Sequence, residues 1–487
     1  MNSMRSISRL VRRCLLPAAL LLAGAAATGQ TAPPLAWELA PQFKYRVENV
    51  LVNATVPGSW NVKVVFSVSN PVTGEIWDIK NALPFQTTGA SLTLDIGWDP
   101  AADITNTGSA NTALTPVVGT ALGVSAGAPL QLRNLQNAST GANRCLSTAE
   151  CPGVLDLYNR FWVQRTITPV GFVTAPKSGR LGIEGRPVCN GLLGCPPGPP
   201  YVNIPVRSEV ADFSLLATAT PTSALIANPR RQIVDFDTKC KTCHNGTRLD
   251  RLGHPIPRLS LHGGNRNENL GLCVMCHTPN QTDVPYRLTT ADARTSAAET
   301  PLDMKTMIHA IHAGGFREKP FVVIGFNSSI NDFSAVRMPG ELRNCTACHV
   351  DNGRKGSFEL PLSGAALGTT LKTGSVYAVP AGGTRSIDVN PANDLKITPT
   401  AATCSGCHDK AEARSHMIRT GGASFGTLQQ NIGVTVKERC ASCHGPGKDK
   451  DVRKKHEIRS TSTAPAGSTT DPRQTERRGD DHDEDDD

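Results

Sequence analysis

Between residues 31 and 230, apolar and polar positions follow one another with a period of two. Val62, Val64, Phe66 and Val68 alternate with Lys63, Val65, Ser67 and Ser69, which predicts a half-buried strand. Asn70-Pro71-Val72-Thr73-Gly74 predicts a turn, followed by a return strand around Ile76–Ile79. Leu92, Leu94, Ile96 and Trp98 alternate again, and Phe161–Thr168 and Arg180–Glu184 are further strand candidates. All five Trp precede residue 163, so a packed core is expected in this half. The pattern predicts an all-β domain over 31–230, either a Greek-key barrel or a sandwich.

From residue 231 the alternation stops. Residues 231–460 carry few strand signals and many Gly, Pro and Asn loops, which predicts a partly helical domain of low secondary-structure content. Asp303–Ala313 predicts a short helix stopped by Gly314-Gly315. Residues 461–487 begin with Ser, Thr, Pro and Gly and end acidic. Nine Asp or Glu stand against three Arg over 471–487, the composition of a disordered, solvated tail. At the other end, Arg5, Arg9, Arg12 and Arg13 precede the short apolar run Leu15–Gly24 and the small residues Ala25–Ala27. That is the pattern of an export signal over 1–30, cleaved near Ala27 or Gly29, and the run is too short to span a bilayer. Cys14 follows two Arg rather than a lipidation box, and no other segment reaches transmembrane length.

Composition narrows the class. The chain has 487 residues, room for two to four domains, with 39% hydrophobic and 19% charged residues, 44 Gly and 35 Pro. This describes a soluble, loop-rich protein and excludes a polytopic membrane protein. The formal charge of +8 falls to +4 once the four signal-peptide Arg are removed, too little to suggest a nucleic-acid partner.

The cysteines decide the chemistry. Ten of the 15 lie in five copies of Cys-x-x-Cys-His, at Cys240/Cys243/His244, Cys273/Cys276/His277, Cys345/Cys348/His349, Cys404/Cys407/His408 and Cys440/Cys443/His444. Two thiols about one helical turn apart can bond to the two vinyl groups of one haem, and the adjacent His then faces the iron. Zinc sites have no need of a His after every second Cys. Thioredoxin-like motifs occur singly on a βαβ scaffold, and disulfides leave the His unexplained. The sequence therefore predicts five covalent haem c groups between Cys240 and His444.

Twelve His are present and five are proximal. His482 lies in the acidic tail and His254 in a Gly-His-Pro loop, which leaves His262, His309, His312, His416 and His456 as distal ligands for five irons. His309 and His312 share one helix face at i,i+3, which would draw two haems together. Met304 and Met307 are lower-ranked alternatives. Irons with two protein ligands have no open position, so the arrangement reads as an electron wire and no catalytic residue is assigned. The domain is too short for a hydrophobic core of its own, so the macrocycles must serve as core and the domain should not fold without them. Cys145/Cys151 and Cys189/Cys195 are expected to close two local disulfide loops. With about −1 per ferric and −2 per ferrous haem, the processed chain carries about −1 oxidised and −6 reduced. The basic stretch Lys448–Lys455 then reads as propionate compensation or a docking patch.

These residues resemble a family. Leu261-His262-Gly263-Gly264-Asn265-Arg266 before the second motif, Met307–Gly314, Leu342-Arg343-Asn344-Cys345 and Cys440–His456 look like the OmcA/MtrC outer-membrane multihaem cytochromes. The likeness is strong over about 230–460 and weaker over the β half. It implies electron transfer across the cell surface to or from metal oxides, flavins or partner cytochromes, in the periplasm or at the outer-membrane surface. It also implies docking to a redox partner cytochrome or a porin–cytochrome complex, and the five distal His named above. Family members typically carry two such β-plus-pentahaem units. One is expected here, without the lipidation Cys common in the family. The competing readings are a multihaem reductase, although no Cys-x-x-Cys-Lys active-haem motif occurs, and a filament-forming cytochrome.

Overall fold

The computed structural model describes residues 36–56, 59–99, 129–167, 178–226, 234–250, 253–287, 299–350, 368–374 and 393–458. The expected export signal, the acidic tail with His482, and Thr168 lie outside the described residues.

Residues 36–226 build a sandwich of two five-stranded antiparallel sheets. The strands are β1 (Lys44–Val56), β2 (Ser59–Ser69), β3 (Ser91–Asp99), β4 (Leu130–Leu132), β5 (Asn143–Arg144), β6 (Phe161–Ile167), β7 (Ser178–Arg186), β8 (Val188–Cys189), β9 (Val202–Asn203), β10 (Glu209–Ser214), β11 (Thr222–Ser223) and β12 (Leu225–Ile226). One sheet runs β11-β1-β2-β6-β5 and the other β12-β10-β7-β3-β4, while β8 and β9 form a separate ribbon. The alternating residues meet between the sheets. Val62, Val64, Phe66 and Val68 of β2 share one core with Leu92, Leu94 and Ile96 of β3, Leu181 and Ile183 of β7 and Phe213 of β10. Each such side chain taken fully out of water contributes about 1.5–3 kcal/mol.

Three departures from the sequence pattern have local causes. Residues 76–79 form no strand: a single bridge joins Ser69 to Ile76, and β6 occupies that edge of β2 from Trp60 to Phe66. The chain turns there instead, with Asp78 accepting hydrogen bonds from the Lys80 N–H at 3.0 Å and the Asn81 side chain at 2.8 Å. β1, which no alternation announced, carries a register shift between Val47 and Asn49. Tyr45 is buried before it and Val50 and Val52 after it, so the inward parity switches within the strand. β2 is buried on both faces rather than one, because Val65 lies beneath the loop closed by the Cys145–Cys151 disulfide, with Val154 and Trp162. The second expected disulfide, Cys189–Cys195, is also formed.

Beyond residue 234 regular structure is sparse: short helices, 3-10 turns and small antiparallel ribbons such as Val322–Gly325 with Ser329–Asp332. Its apolar clusters are small, Ile397/Ala401/Ala402/Ala423 in one and Leu272/Met275 in another. Polar groups fill much of the remaining interior. Asp283 and Arg287 are buried as an ion pair at 2.6 Å, with Asp283 also accepting from the backbone of Thr300 and Ile324. Lys396, fully buried, donates to Asn280 and Thr370 and pairs with Asp394.

The two regions are joined along one sheet. Ser208 N donates to Asn267 O at 3.0 Å, Gly185 N to Asn265 O at 3.1 Å, and Arg266 pairs with Glu184. Gly182 of β7 makes room there for the tip of Leu272, which a Cβ would displace.

Candidate functional site

Each Cys-x-x-Cys-His motif makes a turn of helix. His277, His349, His408 and His444 each donate their backbone N–H to the carbonyl of the first Cys of their own motif at 2.8–2.9 Å, and Lys241–His244 is a helical turn. The turn brings both thiols to one side and the imidazole beside them. None of the ten motif Cys is in a disulfide.

Cys243, Cys407 and Cys443, the second Cys of the first, fourth and fifth motifs, are exposed, whereas the other seven are half-buried. At two of them the cause is the outward side of the turn. Cys243 follows exposed Thr242, and Cys443 follows exposed Ala441 and Ser442, with the Thr242 and Ser442 hydroxyls each 3.9 Å from the neighbouring Sγ. Cys407 precedes exposed His408 at the end of its turn.

The non-motif His come from four places. His309 and His312 lie on the helix Met304–His312, which ends at Ala313 before Gly314, where the sequence placed it. His416 lies on Ala411–Arg419, His456 ends the short helix Val452–Lys455, and His262 opens a tight turn with a left-handed φ of 52°. His254, set aside as a loop residue, faces Asp250 at 3.3 Å.

These ten imidazoles meet in five pairs, each joining one motif His to one of the five others. Ring centres are 6.1 Å apart for His244–His312, 6.1 Å for His277–His262, 6.0 Å for His349–His309, 5.9 Å for His408–His456 and 6.1 Å for His444–His416. Two imidazoles on opposite sides of one metal, each with a metal–nitrogen bond of about 2 Å, have ring centres about 6 Å apart. The gap fits an iron held between them. The ring planes are near-perpendicular in three pairs, at 85°, 81° and 85° for His244–His312, His408–His456 and His444–His416. They are tilted by 43° for His262–His277 and closest to parallel, at 28°, for His309–His349.

The backbone fixes which nitrogen is free. Nδ1 of His277, His312, His444 and His456 lies 2.9–3.0 Å from the carbonyls of Leu302, Ile308, Lys450 and Val452. A carbonyl only accepts, so Nδ1 carries the proton and Nε2 presents its lone pair to the gap. Burial favours the neutral form that a ligand needs at His244, His262, His277, His309 and His349. It holds His262 down to about 3, with the Arg266 charge second, and His349 down to about 4, with His309 second.

The motifs also have an order in space. The helix carrying His309 and His312 ties the third pair to the first. Gly406 of the fourth motif sits against His309, where a Cβ would lie 2.6 Å from its Cβ. After burial, which dominates, the Cys240 thiol is raised by neighbouring Cys348 and Cys273. Cys404 is likewise pushed up to about 12 by burial, with Cys440 second. The sequence of neighbours is second, first, third, fourth, fifth.

Paired thiols on a helical turn, facing imidazoles and a polar, loop-rich surround define a multihaem c-type cytochrome. Among the described residues no group of three or more His, Cys, Asp or Glu is placed to hold a bare metal ion. Residues 231–457 match the family described as outer membrane cytochrome MtrC/MtrF-like, domains II/IV. Among solved structures, MtrC from Shewanella baltica OS185 aligns with 15% identity and a TM-score of 0.44 over 84% of this chain and 52% of its own. The outer membrane decaheme cytochrome OmcA aligns with 18% identity and a TM-score of 0.33 over 65% of this chain and 41% of its own. The chain thus spans about half the length of the MtrC structure. No curated protein matches it in sequence. No helix among the described residues is long and apolar enough to cross a membrane.

Proposed function

We propose that this protein is an electron-transfer cytochrome that carries electrons through five bis-His haem c groups. The division into a β domain over 31–230 and a pentahaem domain over 231–460 is part of that reading. In it the five Cys pairs attach haem, His244, His277, His349, His408 and His444 are proximal ligands, and His312, His262, His309, His456 and His416 are their respective distal partners. The observation that carries it is the set of five imidazole pairs, all 5.9–6.1 Å between ring centres and each using one motif His and one other. Haem so held supplies a one-electron Fe(III)/Fe(II) couple with no vacant ligand position. The chain's own residues set the ring orientation and bring successive sites close.

The neighbour order makes a single file with the second motif at one end and the fifth at the other. The first end is covered by the β sandwich. The other carries exposed Lys448, Lys450, Lys454 and Lys455, suited to the acidic face of a redox partner. Extracellular electron transfer at the outer-membrane surface follows, with a partner cytochrome or porin–cytochrome complex on one side and metal oxides or flavins as further acceptors or donors. Intact mass of the secreted holoprotein tests the count, with five haem additions expected. Replacing His262, His309, His312, His416 or His456 singly by Ala should convert one iron in five from low to high spin. A distal variant with an unchanged spin count would remove that His from the assignment.

A further inference from the structure

The sheet β12-β10-β7-β3-β4 has its apolar face in the sandwich core and a polar face toward the haem region. On the polar face Thr93, Asp95 and Gly97 stand opposite Glu184, Gly182 and Arg180. Alternation of this kind ordinarily meets water, yet Asp95 is 0% and Glu184 5% exposed. Leu272 and Met275, from the helix that carries the second motif, close over Gly182 beside Asp95.

The charges beneath that helix do not balance. Arg266 makes a two-point pair with Glu184, with Nη2 at 3.1 Å from Oε1 and Nε on Oε2. Arg180 is matched by Asp212, at 2.7 and 3.0 Å. Asp95 is left with one hydrogen bond, Gln131 Nε2 donating to Oδ1 at 2.9 Å, while Oδ2 is buried without a partner. Arg133, on the β4 side, is the one other charge acting on it. Two carboxylates therefore share one guanidinium. Burial, and after it the Glu184 charge, pushes Asp95 up to about 7.

The same cluster lies against the second haem site. His277 caps the helix whose Leu272 and Met275 close over Gly182 beside Asp95. Arg266, four residues after His262, is the group that Glu184 holds.

We propose that Asp95 couples the reduction potential of the His262–His277 site to pH, taking up one proton when that site gains an electron and returning it on reoxidation. This rests on the reading of His262–His277 as an iron site. The electron comes from a one-electron donor, a partner cytochrome or dithionite in the test, and the proton from solvent. With haem bound there, the electron would reside on its iron while one O–H bond forms at Asp95 Oδ2, and no other bond changes. The added negative charge beside an already anionic cluster is what raises the proton affinity of the carboxylate. Glu184 is unsuited to the role because Arg266 holds both of its oxygens.

The test is a spectroelectrochemical titration of the full-length holoprotein at pH 5.5, 7 and 8.5, with proton uptake on full reduction read by an indicator dye. In the wild type one component should have a midpoint that falls as pH rises. In Asp95→Asn, whose amide oxygen still accepts from Gln131, that component should become flat and fewer protons should be taken up at pH 7. Equal pH dependence and equal uptake in the two proteins would overturn the proposal. Gln131→Met, which removes the donor to the charged carboxylate, should move the pH-dependent range upward, and an unmoved range would count against it equally. Near-infrared magnetic circular dichroism counts His–His irons independently. Failure of the iron assignment would show in that count, whereas failure of the coupling would show in the titrations alone.

Discussion

The two regions solve the problem of an interior in opposite ways. In residues 36–226 two sheets bury one large apolar cluster, and the alternating apolar residues of β2, β3 and β7 fall within it. In residues 234–458 the apolar clusters hold a handful of side chains, while Asp283, Arg287, Lys396 and Asp394 lie in the interior. A buried ion pair is weak support for a fold, since the desolvation of both charges offsets their attraction. What remains to hold the second region is the set of five imidazole pairs and the groups that fit between them. One region should therefore be stable by its sequence alone, and the other by its cofactors.

That contrast can be broken in four ways, from the largest effect to the smallest. Protein made without haem attachment should lose the whole of the second region to limited proteolysis while a fragment covering the β sandwich survives. Equal protection of both would contradict the account. Phe66→Ala, at the centre of the sandwich, should cost about 3–5 kcal/mol in urea denaturation followed by far-ultraviolet circular dichroism. The haem spectrum should stay as it is at low denaturant.

Asp95→Asn should act the other way, and with pH. The folded state holds the Asp95 proton up to about pH 7, whereas the unfolded chain releases it in the ordinary carboxylate range. Across that window the unfolded state binds fewer protons, so wild-type stability falls as pH rises. The gain from Asp95→Asn should be absent below about pH 4, grow across the window and level above pH 7, at about 2–4 kcal/mol. A gain independent of pH would contradict it. Removing the Cys145–Cys151 bridge with two Ser should cost about 2 kcal/mol, since it closes a short loop, and leave every haem signal unchanged.

What could be read from the sequence follows from range. The five Cys-x-x-Cys-His motifs are local, each complete within five residues, and the helix 304–312 is announced by its own stop signal. The strands β2, β3 and β7 show in the alternation because each keeps one parity facing the core. β1 hid because its bulge switches parity, and residues 76–79 misled because alternation cannot tell whether an edge is free to pair. The pairing of the His was not legible: His312 lies 68 residues beyond His244, while His309 lies 40 residues before His349. Only the folded chain brings such partners together. Nor does the motif tell which thiols are covered. Cys243, Cys407 and Cys443 hold the same position in it as Cys276 and Cys348, yet the first three are exposed and the last two half-buried. Asp95 was hidden for a related reason. Its alternation with Leu94 and Ile96 is that of a solvent-facing position, and nothing local records that residues 264–275 cover it.

The central claim, that each of five irons has two imidazole ligands, is tested most directly by low-temperature EPR with near-infrared magnetic circular dichroism on the ferric holoprotein. The account predicts five low-spin His–His irons and no high-spin fraction. It also predicts their distribution, because perpendicular imidazoles leave the iron dπ orbitals nearly degenerate and parallel ones split them. The three near-perpendicular pairs should give strongly anisotropic signals, and His309–His349 the most rhombic one. A clear high-spin fraction would mean an iron with an open position, and would contradict the assignment of all five distal ligands.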